Sequence, residues 1–334
     1  MGLNNIMIKH NKIPFISFLQ FIGPIFVIIG HSSNLLVDEK TAYWLFSKTW
    51  IYSFHMPLFF FVSGYLFKHN GGIRDGILNF VIKKFKRLII PYIIWNAMFF
   101  VPKFLFAEYT VDQVQFSIPY LIKVFFSPRE NILGHTWFLF ALFEVFLCSI
   151  LLIRVKSKCL KVLVSVFLLV LRFIPINTTV LALSDLRQEL IWFWCGMILG
   201  ELDLNIFMGA IKQHKKFFMS STAIVSVLYL IIKPANIYVS TTLCPLVIAT
   251  LISFSPDCSD KIDWLSSRSF SIYLLHWPVM YAIRTLMIQY TQNPYFVVPV
   301  LLASGYLIPV AIVYFIGKIP KGKIGGIIKY IICY

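Results

Sequence analysis

The sequence predicts an all-α integral membrane protein of about ten transmembrane helices, with both termini cytoplasmic. Three observations predict it. First, 59% of the 334 residues are hydrophobic and only 13% are charged, against about 25% charged in an ordinary soluble domain. Second, the apolar residues fall into runs long enough to cross a bilayer, and mean hydropathy is +0.80. Third, the basic residues lie in short clusters between those runs, as they do where positive charge sets orientation.

The first run, FISFLQFIGPIFVIIGHSSNLL, follows Lys12 and carries no formal charge. It is too long for a signal-peptide core and no small-residue cleavage site follows, so it is expected to stay as a first helix. Ten spans can be drawn, at about 13–36, 50–68, 88–106, 136–153, 160–176, 188–201, 217–233, 237–254, 269–289 and 296–317. The fifth, sixth and eighth are short or interrupted by Pro175, Gly196, Gly200 and Pro245. Basic residues gather at Lys9 and Lys12, at Lys68, Arg74, Lys83, Lys84, Lys86 and Arg87, at Arg154, Lys156 and Lys158, and at Lys318, Lys321, Lys323 and Lys329. The alternate loops are balanced: Lys40 and Lys48 face Asp38 and Glu39, while Lys103, Lys123 and Arg129 face Glu108, Asp112 and Glu130. Residues 257–268 run mildly against the pattern, with Asp257, Asp260 and Asp263 against Lys261 and Arg268. The apolar loop 107–135 reads as a re-entrant or interfacial segment on the outer face. No repeat and no separate soluble domain is visible, so residues 1–334 are expected to form one membrane domain.

A net charge of +16 does not argue for nucleic acid here, because the cations are dispersed among apolar runs instead of forming one patch. The six cysteines show no CxxC or Cys/His ligand spacing, so no metal site is expected and they read as small packing residues.

The polar residues inside the spans carry the functional argument. A histidine in a membrane helix is costly to desolvate and calls for a partner or a task. Gln20 precedes His31 by 11 residues, three turns, so the two share one helix face about 16 Å apart. His31 lies 19 residues past Lys12, toward the outer surface; His55 and His135 open two descending spans. Three histidines from three helices thus meet the outer half of the membrane. His276 stands eight residues beyond Arg268, nearer mid-bilayer. With Glu144 and Arg284 they imply a polar cavity. A neutral imidazole can accept a proton at physiological pH and activate a hydroxyl; a histidine at a helix boundary can equally be a simple interfacial anchor. Lys83, Lys84, Lys86 and Arg87 suit diphosphate oxygens, or serve orientation and contact with anionic membrane lipid. Ser63 and Gly64 in SGYLF offer small residues for close helix packing.

The ordered segments FLQFIGPIFVIIGHS, FHMPLFFFVSGYLF, KKFKRLIIPYIIW, HTWFLFALF and SFSIYLLHWPVM together resemble the acyltransferase-3 family of multi-span membrane acyltransferases. The resemblance implies transfer of an acyl group, commonly acetyl, from cytoplasmic acyl-CoA to a hydroxyl of an extracytoplasmic glycan or its lipid-linked precursor. It implies a transferase of acyl groups other than aminoacyl groups, with no bound cofactor and acyl-CoA as donor, in a bacterial cytoplasmic membrane. Polysaccharide-synthesis enzymes are the protein partners it implies. The family's first-helix histidine matches His31, with the role of catalytic base, and its basic pair before the third helix resembles Lys84 and Arg87, with the role of holding the donor. Gln20 stands where the family usually has Arg or Lys, and Ser17 where it commonly has an acid. An amide hydrogen-bonds but does not neutralise an oxyanion as a cation does. A rival reading, favoured by these two residues, is a catalytically degenerate family member acting in polysaccharide export or assembly. A secondary transporter is a third reading, but no repeat symmetry supports it.

Overall fold

A computed structural model of the protein describes residues 13–36, 41–105, 115–232, 237–257, 259–320 and 322–332. Lys9, Lys12, Asp38, Glu39, Lys40, Glu108, Asp112, Cys258, Lys321 and Cys333 lie outside them. Among the described residues the fold is all-helical, with no strand. The helices are α1 (Pro14–Ser32), α2 (Ala42–Thr49), α3 (His55–His69), α4 (Ile77–Leu105), α5 (Ile118–Phe126), α6 (Trp137–Leu152), α7 (Lys158–Phe173), α8 (Leu183–Leu199), α9 (Leu204–Gln213), α10 (Lys215–Ile232), α11 (Ile237–Ser253), α12 (Asp260–Ser266), α13 (Ser269–Met287), α14 (Pro294–Lys318) and α15 (Lys323–Ile331).

Each of the ten predicted segments falls on a helix. Length and apolarity alone qualify five as membrane spans: Pro14–Leu35, Ala42–His69, Ile77–Leu105, Gly134–Leu152 and Pro294–Lys318. A sixth qualifies if α8 and α9, bent by 111° at their junction, count as one. The rest are shorter or more polar; α7, at 16 residues, is about 24 Å long.

Local sequence explains the helix ends. Pro14 occupies the first turn of α1, where its missing N–H removes no bond. Side chains of Thr41, Ser157, Asp203, Ser259 and Asn293 accept from backbone N–H groups at the starts of α2, α7, α9, α12 and α14. The helix that carries the third predicted span begins 11 residues before it, at Ile77, so Lys83 to Arg87 are not a loop before the helix but its early turns. Lys and Arg are good helix formers, and Gly76 at φ +83° makes the turn that starts it. In the outer loop, α5 exposes Ile118 and Ile122 and buries Val124, an apolar face suited to a membrane interface.

The centre of the bundle is the pair α3 and α8, with α1 packed against α3, α12, α13 and α14. Two glycines permit the α3–α8 approach. A Cβ on Gly64 would overlap the carbonyl of Phe193, and one on Gly196 would overlap the carbonyl of Phe61. The small residue of SGYLF therefore does serve close packing. Gly64→Val is expected to force these helices apart and lower stability by about 1–3 kcal/mol, read as an earlier melting transition of the detergent-solubilised protein.

Candidate functional site

Four helices, α1, α3, α6 and α13, line two separate cavities, one at each end. No residue lines both.

The first cavity, about 550 Å³, is lined by Lys83, Lys84, Arg87 and Arg74, with Gln20, Ser63, Ser266, Ser267 and Ser269. One turn of α4 presents Lys84 and Arg87 on one face, because residues three apart are neighbours on a helix. Lys84 Nζ sits 3.5 Å from the Phe146 ring centroid and 5.5 Å from that of Phe80, a cation–π placement that keeps the ammonium in the cavity. Asp75 is ion-paired with Lys83, which holds its carboxyl below the usual carboxylate range. One acid against four cations leaves a wall that favours a polyanion.

The second cavity, about 400 Å³, is lined by His31, His55, His135, Asn34, Tyr52, Arg129, Glu189, Trp137 and Trp277. Ring centroids of His31 lie 5.0 Å from His276, 6.5 Å from His55 and 6.5 Å from His135. His31 Nδ1 is 2.8 Å from His276 Nε2, and His276 Nδ1 is hydrogen-bonded to the Tyr273 carbonyl. His55, the first residue of α3, has Nδ1 2.9 Å from the Ile51 carbonyl. His135 sits on a 3-10 turn just before α6, and among the described residues neither ring nitrogen has a side-chain partner. That turn is fixed from below by Asn96, which accepts from Leu133 N at 2.9 Å and donates to Thr136 Oγ1 at 2.9 Å. The Trp277 ring lies edge-on to His31, centroids 5.3 Å apart. Among the described residues no group of three or more His, Cys, Asp or Glu is arranged to hold a metal ion.

The structure thus brings together His31, His55, His135 and His276 in one place, and Lys84, Arg87, Gln20 and Ser63 in another. His276, which counting from Arg268 places nearer mid-bilayer, packs against His31 and His135 with ring centroids 5.0 and 5.5 Å away. Glu144 lines neither cavity. Phe138, Leu142 and Phe146 are the cavity face of α6, and Glu144, two residues from Leu142, is turned about 200° from it. Arg284 lines neither cavity either; its Nε donates to the Leu35 carbonyl at 2.6 Å, tying α13 to the end of α1.

Arg129, Asp185 and Glu189 are polar neighbours that sequence reading missed as site residues. Arg129 Nε donates to both carboxylate oxygens of Asp185 at 2.9 and 3.0 Å, and its guanidinium lies 4.1 Å from the Trp137 ring centroid. The signal was present: Asp185 and Glu189 are acids beside an apolar run, LIWFWCGMILG, and an acid in that position asks for a partner. Asp185 is 6% exposed but Arg129 50%, so part of the pair's attraction is lost to solvent. Asp185→Ala is expected to cost about 1–2 kcal/mol, measured by thermal unfolding in detergent.

Between the cavities lies a layer of rings. Phe59 and Phe138 face the first cavity and Tyr273 the second; the Phe59–Phe138, Phe138–Tyr273 and Phe59–Tyr273 centroid separations are 5.8, 5.4 and 6.3 Å. Tyr273 is 2% exposed and its hydroxyl is bonded to the His135 carbonyl.

Residues 13–316 match the acyltransferase domain family, Acyl_transf_3. Among curated proteins, the chain is 28% identical over 200 residues to nodulation protein NolL of Mesorhizobium japonicum, covering 58% of this chain and 49% of that one. It is 28% identical over 212 residues to NolL of Sinorhizobium fredii, covering 61% of this chain and 53% of that one. The chain therefore spans about half the length of the curated relatives it matches. No solved structure matches. With its apolar helices and a family match over nearly its whole described length, this multi-pass helical membrane protein belongs to the acyltransferase-3 family.

Proposed function

We propose that the protein is a membrane O-acyltransferase that moves an acyl group, acetyl being the simplest, from cytoplasmic acyl-CoA to a hydroxyl of an extracytoplasmic glycan or its lipid-linked precursor. The observation that carries the reading is the pair of cavities at opposite ends of the same four helices, one cationic and one lined by histidines. Residues 1–334 form a single domain of ten membrane crossings in the bacterial cytoplasmic membrane, with both termini in the cytoplasm. Basic clusters at the end of α3, in early α4 and after α6 support that orientation.

In this reading Lys84 and Arg87 hold the phosphates of the donor in the first cavity, with Lys83 and Arg74 adding positive potential. The thioester extends toward the histidine layer past Phe59, Phe138 and Tyr273, whose rings move aside for it. The acceptor enters the second cavity, where Trp137, Trp277 and Tyr52 offer flat apolar faces and Asn34, Arg129 and Glu189 offer polar groups suited to a sugar. His31 takes the hydroxyl proton while the oxygen attacks the thioester carbonyl carbon. The C–S bond of the tetrahedral oxyanion then breaks, the ester forms, and CoA thiolate leaves and takes the proton back from His31. Neighbouring polysaccharide-synthesis enzymes supply the acceptor.

Gln20 lines the donor cavity where relatives of this type usually carry a cation, and that favours a second reading: a catalytically degenerate member acting in glycan export or assembly. Membranes given acetyl-CoA labelled in the acetyl group separate the two. Alkali-labile label on surface glycan, absent from a deletion strain, is the expected result. Unlabelled glycan, together with lost surface export in the deletion strain, would establish the second reading instead.

A further inference from the structure

The two hydrogen bonds at His276 determine which nitrogen of His31 carries the proton. A backbone carbonyl only accepts, so His276 Nδ1, bonded to the Tyr273 carbonyl, must be the nitrogen that bears hydrogen. In a neutral ring that leaves His276 Nε2 as an acceptor. Its partner is His31 Nδ1 at 2.8 Å, which must then donate. In a neutral His31 the remaining nitrogen, Nε2, is unprotonated. Among the described residues it has no hydrogen-bond partner, and the His31 ring borders the second cavity. The chain of consequence runs from a carbonyl in α13 to a basic lone pair on α1.

Alternative partners do not offset this assignment. His55 Nδ1 is engaged by the Ile51 carbonyl, and His135 approaches His31 only at a ring-centroid separation of 6.5 Å. His276 is fully buried, so water does not compete for its Nε2. The His276 and His31 rings are inclined by only 29°, so the N–H of one and the lone pair of the other lie near a common plane.

We propose that His276 is the positioning residue of the reaction: it fixes His31 in the Nδ1–H tautomer, presents Nε2 to the acceptor hydroxyl, and shares the charge when His31 is protonated. A carboxylate does this for the base histidine in the hydrolase triad; here a neutral imidazole, itself oriented by a backbone carbonyl, takes that place. No covalent step is added. The proton that His31 Nε2 receives from the hydroxyl makes an imidazolium whose Nδ1–H still points to the His276 lone pair, and it leaves again from Nε2 with the thiolate. The proposal rests on the reading of His31 as base and assigns the group that makes it one.

Two measurements test it. The first needs no substrate: nitrogen NMR of the full-length protein labelled with ¹⁵N-histidine in lipid nanodiscs, with the His31 signals assigned by their loss in His31→Asn. Wild type should show a proton-bearing Nδ1 and a bare Nε2 at His31; a proton on Nε2, or an imidazolium signature at His276, overturns the proposal. The second compares His276→Leu with His276→Gln, since the glutamine carbonyl oxygen can still accept from His31 Nδ1. With acetyl-CoA as donor and membranes carrying the endogenous acceptor, His276→Leu should lower turnover by about 10²-fold or more. Its KM for acetyl-CoA should stay near wild type, and His276→Gln should recover most of the loss. Equal turnover in wild type and His276→Leu overturns the proposal. Undiminished transfer in His31→Ala would instead refute the role of His31 as base, while the tautomer measured by NMR would stand.

Discussion

Replacement of His31 by alanine is expected to reduce acyl transfer by about 10²- to 10⁴-fold, the range a positioned general base supplies. The expectation follows from what the histidine touches. Its Nδ1 is committed to His276, Trp277 closes one side of the ring, and the ring borders the second cavity. Of the neighbouring histidines, His135 is the one whose ring nitrogens have no side-chain partner among the described residues, and its ring centroid lies 6.5 Å from that of His31. The nearest rings, His276 and Trp277, are held by the Tyr273 carbonyl and by packing, and His55 is tied to Ile51. The change leaves the buried His276 Nε2 without its partner, at a cost of about 1–3 kcal/mol, so the amount of folded variant in the membrane is measured alongside. The measurement is the number of O-acyl groups per glycan repeat, by mass spectrometry, in a deletion strain restored with either wild type or His31→Ala. Full acylation by the variant would remove His31 from the reaction.

The second large effect is expected at the other cavity. Lys84→Ala combined with Arg87→Ala removes two of its four cations. A charge-assisted hydrogen bond to phosphate contributes about 1.5–3 kcal/mol, and 1.4 kcal/mol is a factor of ten in affinity. The pair should therefore raise the KM for acetyl-CoA by about 10²-fold or more, while turnover at saturating donor changes much less. Rising ionic strength should weaken donor binding in wild type more than in the double variant, because screening acts on the charges that the variant lacks. Lys84→Arg, which keeps the charge, should stay close to wild type. An unchanged KM in the double variant would mean that the donor phosphates are held elsewhere.

The sequence made the elements legible for a plain physical reason. Long apolar runs without charge have few stable states other than a helix in lipid or in a protein core, so all ten segments appear as helices. The histidines were legible one at a time, because each is costly in an apolar run. Their meeting was legible only for the three at helix boundaries. That His276 joins them depends on how α13 packs against α1, a tertiary contact with no local trace. Glu144 is the converse case. Rarity of charge marks it as unusual, but the face it occupies is decided by the register of Phe138, Leu142 and Phe146 on α6. The start of α4 is not legible because Lys and Arg mark a membrane boundary and also continue a helix, and the two meanings coincide over Lys83–Arg87. Arg129 and Asp185 were read as loop charge and passed over, respectively, since a pair 56 residues apart leaves no spacing signal.

The ring layer of Phe59, Phe138 and Tyr273 has a consequence in electrical terms. If the two cavities open to opposite sides of the membrane, most of the insulating thickness of the bilayer is replaced at this point by a few stacked side chains, and the membrane voltage falls across that short distance. Moving one elementary charge through it would then exchange about 2.3 kcal/mol with every 100 mV. In the proposed reaction the acetyl group is neutral, and the donor phosphates would stay on the first side with the cations of that cavity. The protein would thus pass chemical material across the membrane's steepest field without passing charge, so its rate should be nearly indifferent to the energised state of the cell, and the layer that separates the cavities would keep the site from becoming an ion leak.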